Sequence, residues 1–452
     1  MKLKTCYICQ QCAYQSIKWE GRCPGCSEWN TLVEEVVELA PKDGLGPLVE
    51  LPALTALTDI SLDDVARLPT GFDEFDRVLG GGLVPGSVTL VGGEPGIGKS
   101  TLLLSVAGAL AASHDVLYVS GEESLKQIKL RADRLGVQAS SVHLLAHTQL
   151  EGIVEAITQY NPRVGIIDSI QVMETATLAS VAGSIGQVRA CAQELVRVVK
   201  ARQIALFLVG HVTKDGSLAG PKVLEHLVDT VCYFDGEASS GVRMVRSMKN
   251  RFGATQELGV FQMTSAGLIE VSNPSALFLS DSPEVVPGCM VTASLEGSRP
   301  LLVEVQALTS PCGIGLPRRR TAGVDGNRLS MLLAVLEQRV GLRQLAQEDV
   351  FVSSLGGVRV YEPAADLGIA LAIASSVKAK PTGRRDVAIG EVALTGEVHP
   401  VANLSQRLHE AQRLGFQRCI VAVGREGIGT VNGIEVVPVR HVHEALQHAL
   451  HE

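Results

Sequence analysis

With 452 residues, the chain is long enough for about three domains. Its net charge of −8 and 19% charged content exclude a globally basic nucleic-acid binder, so any such surface must be a local patch. No run approaches the ~18 apolar residues of a membrane span, and the start carries Lys2 and Lys4 but no apolar signal core. The expectation is a cytoplasmic protein with no membrane contact. Five of the ten cysteines fall within the first 26 residues. In a reducing compartment that clustering points to a metal.

Residues 1–35 hold two CxxC knuckles, Cys9-x2-Cys12 and Cys23-x2-Cys26, separated by ten residues. Two such pairs close a tetrahedral Zn²⁺ site with no open position, so the metal is structural. A segment this short buries too little to fold alone, and Zn²⁺ supplies the folding energy. Cys6-x2-Cys9 is an alternative pair; Cys9 with Cys12 balances the second knuckle, which leaves Cys6 spare. The only tryptophans, Trp19 and Trp29, either pack on the knuckles, the expectation favoured here, or form a contact surface. Residues 36–69, punctuated by Pro41, Pro47, Pro52 and Pro69, read as a linker.

Residues 70–272 read as a nucleotide-driven domain. Gly93-Glu94-Pro95-Gly96-Ile97-Gly98-Lys99-Ser100 fits G-x-x-x-x-G-K-[ST], with Thr101 following. The glycines let backbone N–H groups cradle phosphate oxygens. Lys99 then carries charge to the β- and γ-phosphates, and Ser100 offers a hydroxyl to Mg²⁺. Ser87–Val91 reads as a buried strand into this loop and Thr101–Ala107 as the helix leaving it, the context that identifies an ATP site. The lead-in, Thr70-Gly71-Phe72 through Gly80-Gly81-Gly82-Leu83, resembles the RecA superfamily of P-loop ATPases.

Val116–Ser120 is a further buried strand, with Glu122 and Glu123 at its C-terminal edge. In RecA-like folds a glutamate there activates the attacking water; Glu122 is the first candidate and Glu123 the second. Val164-Gly165-Ile166-Ile167-Asp168 is an apolar strand ending in the carboxylate expected to hold Mg²⁺. Ile204–Gly210 precedes His211, read as a γ-phosphate sensor or a structural histidine. Two polar, glycine-rich stretches, Ala182–Arg189 and Thr213–Lys222, follow strands. RecA-like rings use such loops for single-stranded DNA, which makes Arg189, Lys214 and Lys222 candidate phosphate contacts.

Lys249-Asn250-Arg251-Phe252-Gly253, together with the knuckles and P-loop in this order, resembles the RadA/Sms family of bacterial DNA recombination and repair ATPases. The resemblance spans the chain. It implies a homo-oligomeric ring, a hexamer, in which Lys249 and Arg251 reach the neighbour's γ-phosphate, and it implies RecA recombinase and single-stranded and branched DNA as partners.

After a second linker, 273–288, residues 289–452 resemble the C-terminal domain of Lon proteases, on Tyr361–Gly368 and Leu394–Ser405. Lon enzymes use a Ser–Lys dyad. Here the serine position is Ala364, or Ala365 if the register slips, and the lysine position is Ser405, which implies a dead protease serving as an assembly scaffold. Leu367–Val377 reads as a core helix. Arg318, Arg319 and Arg320 precede an amphipathic helix and are candidate duplex-backbone contacts, with intersubunit salt bridges as the rival.

The expected fold is therefore α/β. It comprises a RecA-like P-loop ATPase core, a small N-terminal four-cysteine zinc module and a C-terminal α+β Lon-protease-like domain. ATP, Mg²⁺ and Zn²⁺ are the expected cofactors. The expected function is DNA-dependent ATP hydrolysis driving branch migration; a nucleotide-gated scaffold that does not translocate is the alternative, and an ATP-dependent protease a remoter one.

Overall fold

A computed structural model describes residues 3–9, 14–25, 27–38, 56, 66–178, 180–211, 222–236, 241–255, 257–280, 282, 284–313, 315–424 and 433–450. They divide into two compact units, Met1–Val271 and Ser272–Glu452.

The first unit begins with a three-stranded antiparallel sheet, β1 (Leu3–Cys9), β2 (Gln15–Ser16) and β3 (Leu32–Glu38), in the order β2-β1-β3. β1 pairs with β3 from Leu3 opposite Glu38 to Cys9 opposite Leu32, so the ribbon runs through Glu38. Its buried core is Cys9, Cys23 and Leu32, with Tyr7 against it. Such a core is too small to order the segment without a metal.

The ATPase part is a nine-stranded sheet. Its strands are β4 (Val88–Gly93), β5 (Val116–Ser120), β6 (Val142–Ala146), β7 (Val164–Asp168), β8 (Ala205–His211), β9 (Thr230–Asp235), β10 (Val242–Asn250), β11 (Leu258–Thr264) and β12 (Gly267–Glu270). The order is β12-β11-β10-β9-β4-β8-β7-β5-β6. β6 through β9 are mutually parallel, and β10 to β12 extend the sheet antiparallel.

Continuous apolar runs make the central strands because both faces are covered. One face packs Val91, Tyr118, Ile166 and Phe207 against α1 (Asp73–Leu79), α2 (Lys99–Leu110) and α3 (Leu125–Arg134). The alternate residues Leu90, Leu117, Ile167 and Leu206 pack against α4 (Leu150–Tyr160) and α5 (Ile185–Arg202). The short α6 (Lys222–Leu227) precedes β9. Arg189, expected in a loop, lies instead within α5. Ser184 caps that helix by accepting the Gln187 N–H, which ends the loop five residues earlier than the glycine pattern suggested.

The second unit holds a seven-stranded mixed sheet. Its strands are β13 (Cys289–Glu296), β14 (Arg299–Pro311), β15 (Arg319–Ala322), β16 (Glu348–Ser354), β17 (Asp386–Ile389), β20 (Arg418–Ala422) and β21 (Glu435–Val439), with β18 (Glu391–Val392) and β19 (Val398–His399) forming a separate pair. The helices are α7 (Gly326–Gln338), α8 (Asp366–Lys378), α9 (Leu404–Arg413) and α10 (Val442–Ala449). α8 is buried continuously from Asp366 to Ser375, as its unbroken apolar sequence requires. Within the stretch read as a linker, Pro274, Ser275 and Phe278 are buried, and the Ser275 hydroxyl donates to Glu410 at 3.0 Å.

Candidate ATPase site

β4 delivers the loop 93–98 to the N-terminus of α2. Gly93, Gly96 and Gly98 have φ of 156°, 77° and 120°. A Cβ at Gly93 would stand 2.7 Å from Phe234 Cβ, and at Gly98 the positive φ itself strains any side chain, so both positions favour glycine. Lys99 is only 3% exposed, and its Nζ donates to the Gly93 carbonyl at 2.8 Å and the Glu94 carbonyl at 2.9 Å. Burial pushes its ammonium down to about 8, while Asp168 and Glu122 pull the other way. The cradle thus holds a desolvated cation facing two carboxylates, which fits a nucleotide phosphate and its Mg²⁺. Ser100 and Thr101, at the start of α2, are half-buried.

β5 and β7 are parallel neighbours with Ser120 opposite Asp168, so Glu122 and Asp168 emerge together. Asp168 is buried, the Asp168–Ser169 peptide is cis, and the Ser169 hydroxyl donates to the exposed Glu122. Glu123 is committed elsewhere, as an ion pair with Arg131. This separates the two glutamates. Glu122 faces Lys99 and Asp168, whereas Glu123 anchors α3. Sequence reading missed Arg243, a buried residue of β10 that donates from Nε to the Ile97 carbonyl at 3.0 Å and braces the loop from beneath. An arginine inside a strand carries no signal of that kind.

Lys249 and Arg251 sit elsewhere. β10 runs antiparallel to β9 with Asn250 opposite Thr230; β9 runs parallel to β4 with Thr230 opposite Thr89 and Phe234 opposite Gly93. The pentapeptide therefore lies at the sheet edge opposite the P-loop, four residues or about 13 Å down the strands. There Lys249 Nζ donates to the Glu225 carbonyl at 2.5 Å and the Val228 carbonyl at 2.8 Å. Burial lowers its pKa, and Arg251 lowers it further. Arg251 pairs at 3.1 Å with the buried Asp229, which also holds Lys200 at 3.1 Å and accepts the Val88 N–H at 3.1 Å. Arg67 donates to both the Phe252 and Gly80 carbonyls, tying the glycine-rich lead-in to the pentapeptide.

In the ribbon, Cys9 and Cys23 are buried. Cys9 Sγ lies 3.1 Å from Thr31 Oγ1, and the Gly25 N–H points at Cys23 Sγ at 3.3 Å, the backbone-to-sulfur contact that a knuckle makes with a thiolate. Those two residues fit Zn²⁺; Cys12 and Cys26 lie outside the described residues. Trp19 and Trp29 do not pack on the knuckles as expected. They are 56% and 67% exposed, flank Gly21, and Trp29 lies beneath Arg22 at 6.0 Å.

The remaining basic candidates divide. Arg189 is half-buried on α5, Lys214 lies outside the described residues, and Lys222 opens α6 with its side chain outside them. The three arginines do not present one face, because strand alternation sends Arg319 the opposite way from Arg318 and Arg320. Arg318 grips Asp349 at 2.6 and 2.8 Å, and Arg319 bonds the Leu345 and Glu348 carbonyls. Arg320 is exposed with no polar partner among the described residues.

At the protease-like position, Ala364 and Ala365 are buried in a 3₁₀ turn, while Ser405 is exposed on α9, 3.4 Å from His409 Nδ1. The buried cation here is Arg407, 0% exposed. It grips Glu362 with both Nη atoms, and it donates to the carbonyls of Ala293 at 2.6 Å and Ala402 at 3.1 Å.

Comparison with known proteins matches residues 56–217 to an AAA domain, 7–34 to a rubredoxin metal binding domain and 339–452 to the Lon protease (S16) C-terminal proteolytic domain. The DNA repair protein RadA of Bacillus subtilis (strain 168) is 49% identical over 457 residues, covering 99% of each chain. The chain belongs to the RadA family of DNA repair proteins. RadA of Listeria monocytogenes is 47% identical over 452 residues, and RadA of Streptococcus pyogenes serotype M6 is 48% identical over 448 residues, each with 99% of both chains covered. Among solved structures, the KaiC-like protein PH0186 of Pyrococcus horikoshii OT3 aligns with 46% of this chain and 99% of its own at 18% identity, with a TM-score of 0.39.

An AAA domain, a metal-binding ribbon and a Lon-type domain are thus all matched in this chain. An AAA ATPase domain uses ATP and Mg²⁺, and the ribbon uses Zn²⁺. The chain is a DNA repair ATPase. No helix among the described residues is long and apolar enough to cross a membrane.

Proposed function

We propose that this RadA-family chain is a ring-forming, DNA-dependent motor that acts on single-stranded and branched DNA with the RecA recombinase and drives branch migration by ATP hydrolysis. The observation carrying this reading is the split of its catalytic groups. Lys99, Glu122 and Asp168 gather at one edge of the sheet, and Lys249 and Arg251 stand at the other. A chain built this way completes a site only with a neighbour, in a heterologous ring such as a hexamer.

Gly93, Glu94, Pro95, Gly96, Ile97, Gly98 and Thr101 enclose the phosphates, and Lys99 exchanges its carbonyl partners for their oxygens. Ser100 and Asp168 would hold Mg²⁺, which would supply neutralising charge beside the phosphates. Glu122 orients water and receives its proton. Lys249 and Arg251 stabilise charge on the neighbour's γ-phosphate. Nucleotide-coupled movement acts on DNA held by Arg189, Lys214 and Lys222, with Arg320 the free member of the arginine cluster on the Lon-type domain. That domain is a scaffold without peptidase activity, because Ala364 has no nucleophile and Ser405 cannot be the base. The ribbon, through its exposed tryptophans, contacts RecA or governs DNA loading; a Cys23→Ala variant that still assisted RecA would sink that assignment.

The test is strand displacement on a tailed duplex alongside ATPase assays with and without single-stranded DNA. The expected result is DNA-stimulated hydrolysis and directional displacement, both lost in Lys99→Ala. Hydrolysis indifferent to DNA across salt conditions would refute a motor. Nucleotide-dependent binding without displacement would make the chain a scaffold.

A further inference from the structure

Tyr118, on β5 and outside the P-loop, faces Asp168. It is fully buried, and its hydroxyl donates to Asp168 Oδ2 at 2.5 Å. The reach follows from register. β5 and β7 pair Tyr118 with Ile166 and Ser120 with Asp168, so Tyr118 starts two residues, about 6.6 Å, down the strand from the carboxylate. An extended phenol spans that gap; an aliphatic residue of equal burial fills the core without touching Asp168. The ring packs among Val116, Ile166 and Phe207, where a buried hydroxyl needs a partner. A phenol keeps its proton at neutral pH, so the hydroxyl is the donor and the carboxylate the acceptor. The other charges near it are Arg131 and Glu123, which are paired with each other.

We propose that Tyr118 is a positioning residue for the Mg²⁺-side carboxylate: it occupies one oxygen of Asp168 and fixes the plane in which the other is offered. This rests on the reading of Asp168 as the magnesium carboxylate. Glu123 then has a task of its own, holding Arg131 beside the phenol, which explains why it is unavailable as a base.

Tyr118→Phe keeps the ring and its packing and removes only the hydroxyl. In the full-length protein, a fluorescent ATP analogue is titrated first in EDTA, then with increasing MgCl₂. The Mg²⁺ midpoint is read from fluorescence and from thermal protection, and kcat is read separately. Binding in EDTA should be unchanged, which also certifies the fold. The Mg²⁺ midpoint should rise, or kcat fall, by about 10- to 100-fold, the usual cost of losing a group that orients a metal ligand. Asp168→Asn is run in parallel. If Asp168→Asn shifts the midpoint and Tyr118→Phe stays within about twofold of the parent in both quantities, the positioning role is overturned. If Asp168→Asn itself leaves the midpoint unmoved, the assignment of Asp168 fails and this one fails with it.

Discussion

Mixing two dead variants tests whether the sites are shared. Lys99→Ala keeps Lys249 and Arg251 but loses the proposed phosphate lysine; Arg251→Ala keeps Lys99 but loses the proposed finger. The two groups lie at opposite sheet edges, at least about 13 Å apart along the strands, more than an arginine side chain reaches from its own backbone. If Arg251 acts on its own subunit's nucleotide, no subunit in a mixture is complete. If it acts on a neighbour's, an active interface needs an intact P-loop on one side and an intact finger on the other. In a random equal mixture that is about one interface in four. Each variant alone should hydrolyse at least about 10³-fold more slowly than the parent, the usual worth of an arginine finger. The equal mixture should recover about a quarter of parental activity. The assay is steady-state ATP hydrolysis with single-stranded DNA after subunit exchange, with exchange verified by differently labelled chains. Exchange without recovery would refute the trans arrangement.

The two glutamates should part company. Glu122→Gln should bind ATP normally and lose hydrolysis by about 10²- to 10⁴-fold, while Glu123→Gln, which only frees Arg131, should lose far less; single-turnover rates decide. Arg407→Met should destabilise the Lon-type domain by about 3–5 kcal/mol, because Glu362 is left without its cation, and urea unfolding would read this. Nucleotide binding should take up a proton near pH 8. Lys99 titrates at about 8 in the free protein rather than at 10.5, and a bound phosphate restores its charge. Uptake should therefore be small at pH 6.5, approach about half a proton at pH 8, and vanish in Lys99→Ala. Calorimetry in buffers of different ionisation enthalpy measures it.

The strands bearing the site were legible in the sequence because both faces of the ATPase sheet are covered. Val116–Ser120 and Val164–Asp168 are unbroken apolar runs ending at the chemistry, and their observed bounds coincide with those runs. The P-loop was legible for a different reason: its glycines are demanded by local φ angles, which a local pattern encodes. The direction of each arginine in the cluster was not legible, because composition carries no direction. Only the β-strand at Arg319–Ala322 splits the cluster between faces, and Asp349, 31 residues on, claims Arg318. The tryptophans misled because packing was assumed, whereas among the described residues the ribbon's core gathers Cys9, Cys23 and Leu32 with Tyr7 against them.

By itself the sequence determined the reaction class and the order of the parts, since the cradle, the terminal carboxylates and the CxxC pairs are all written within a few neighbouring residues. Only the tertiary structure decided which side chains meet. It placed Glu122 rather than Glu123 beside Asp168, brought Tyr118 and Arg243 beneath the site, buried Arg407 against Glu362 while Ser405 stayed exposed, and set Arg251 at the far edge of the sheet. Those outcomes depend on strand order and register, which are settled by packing the whole sheet between its helices and leave no mark in any short stretch of chain.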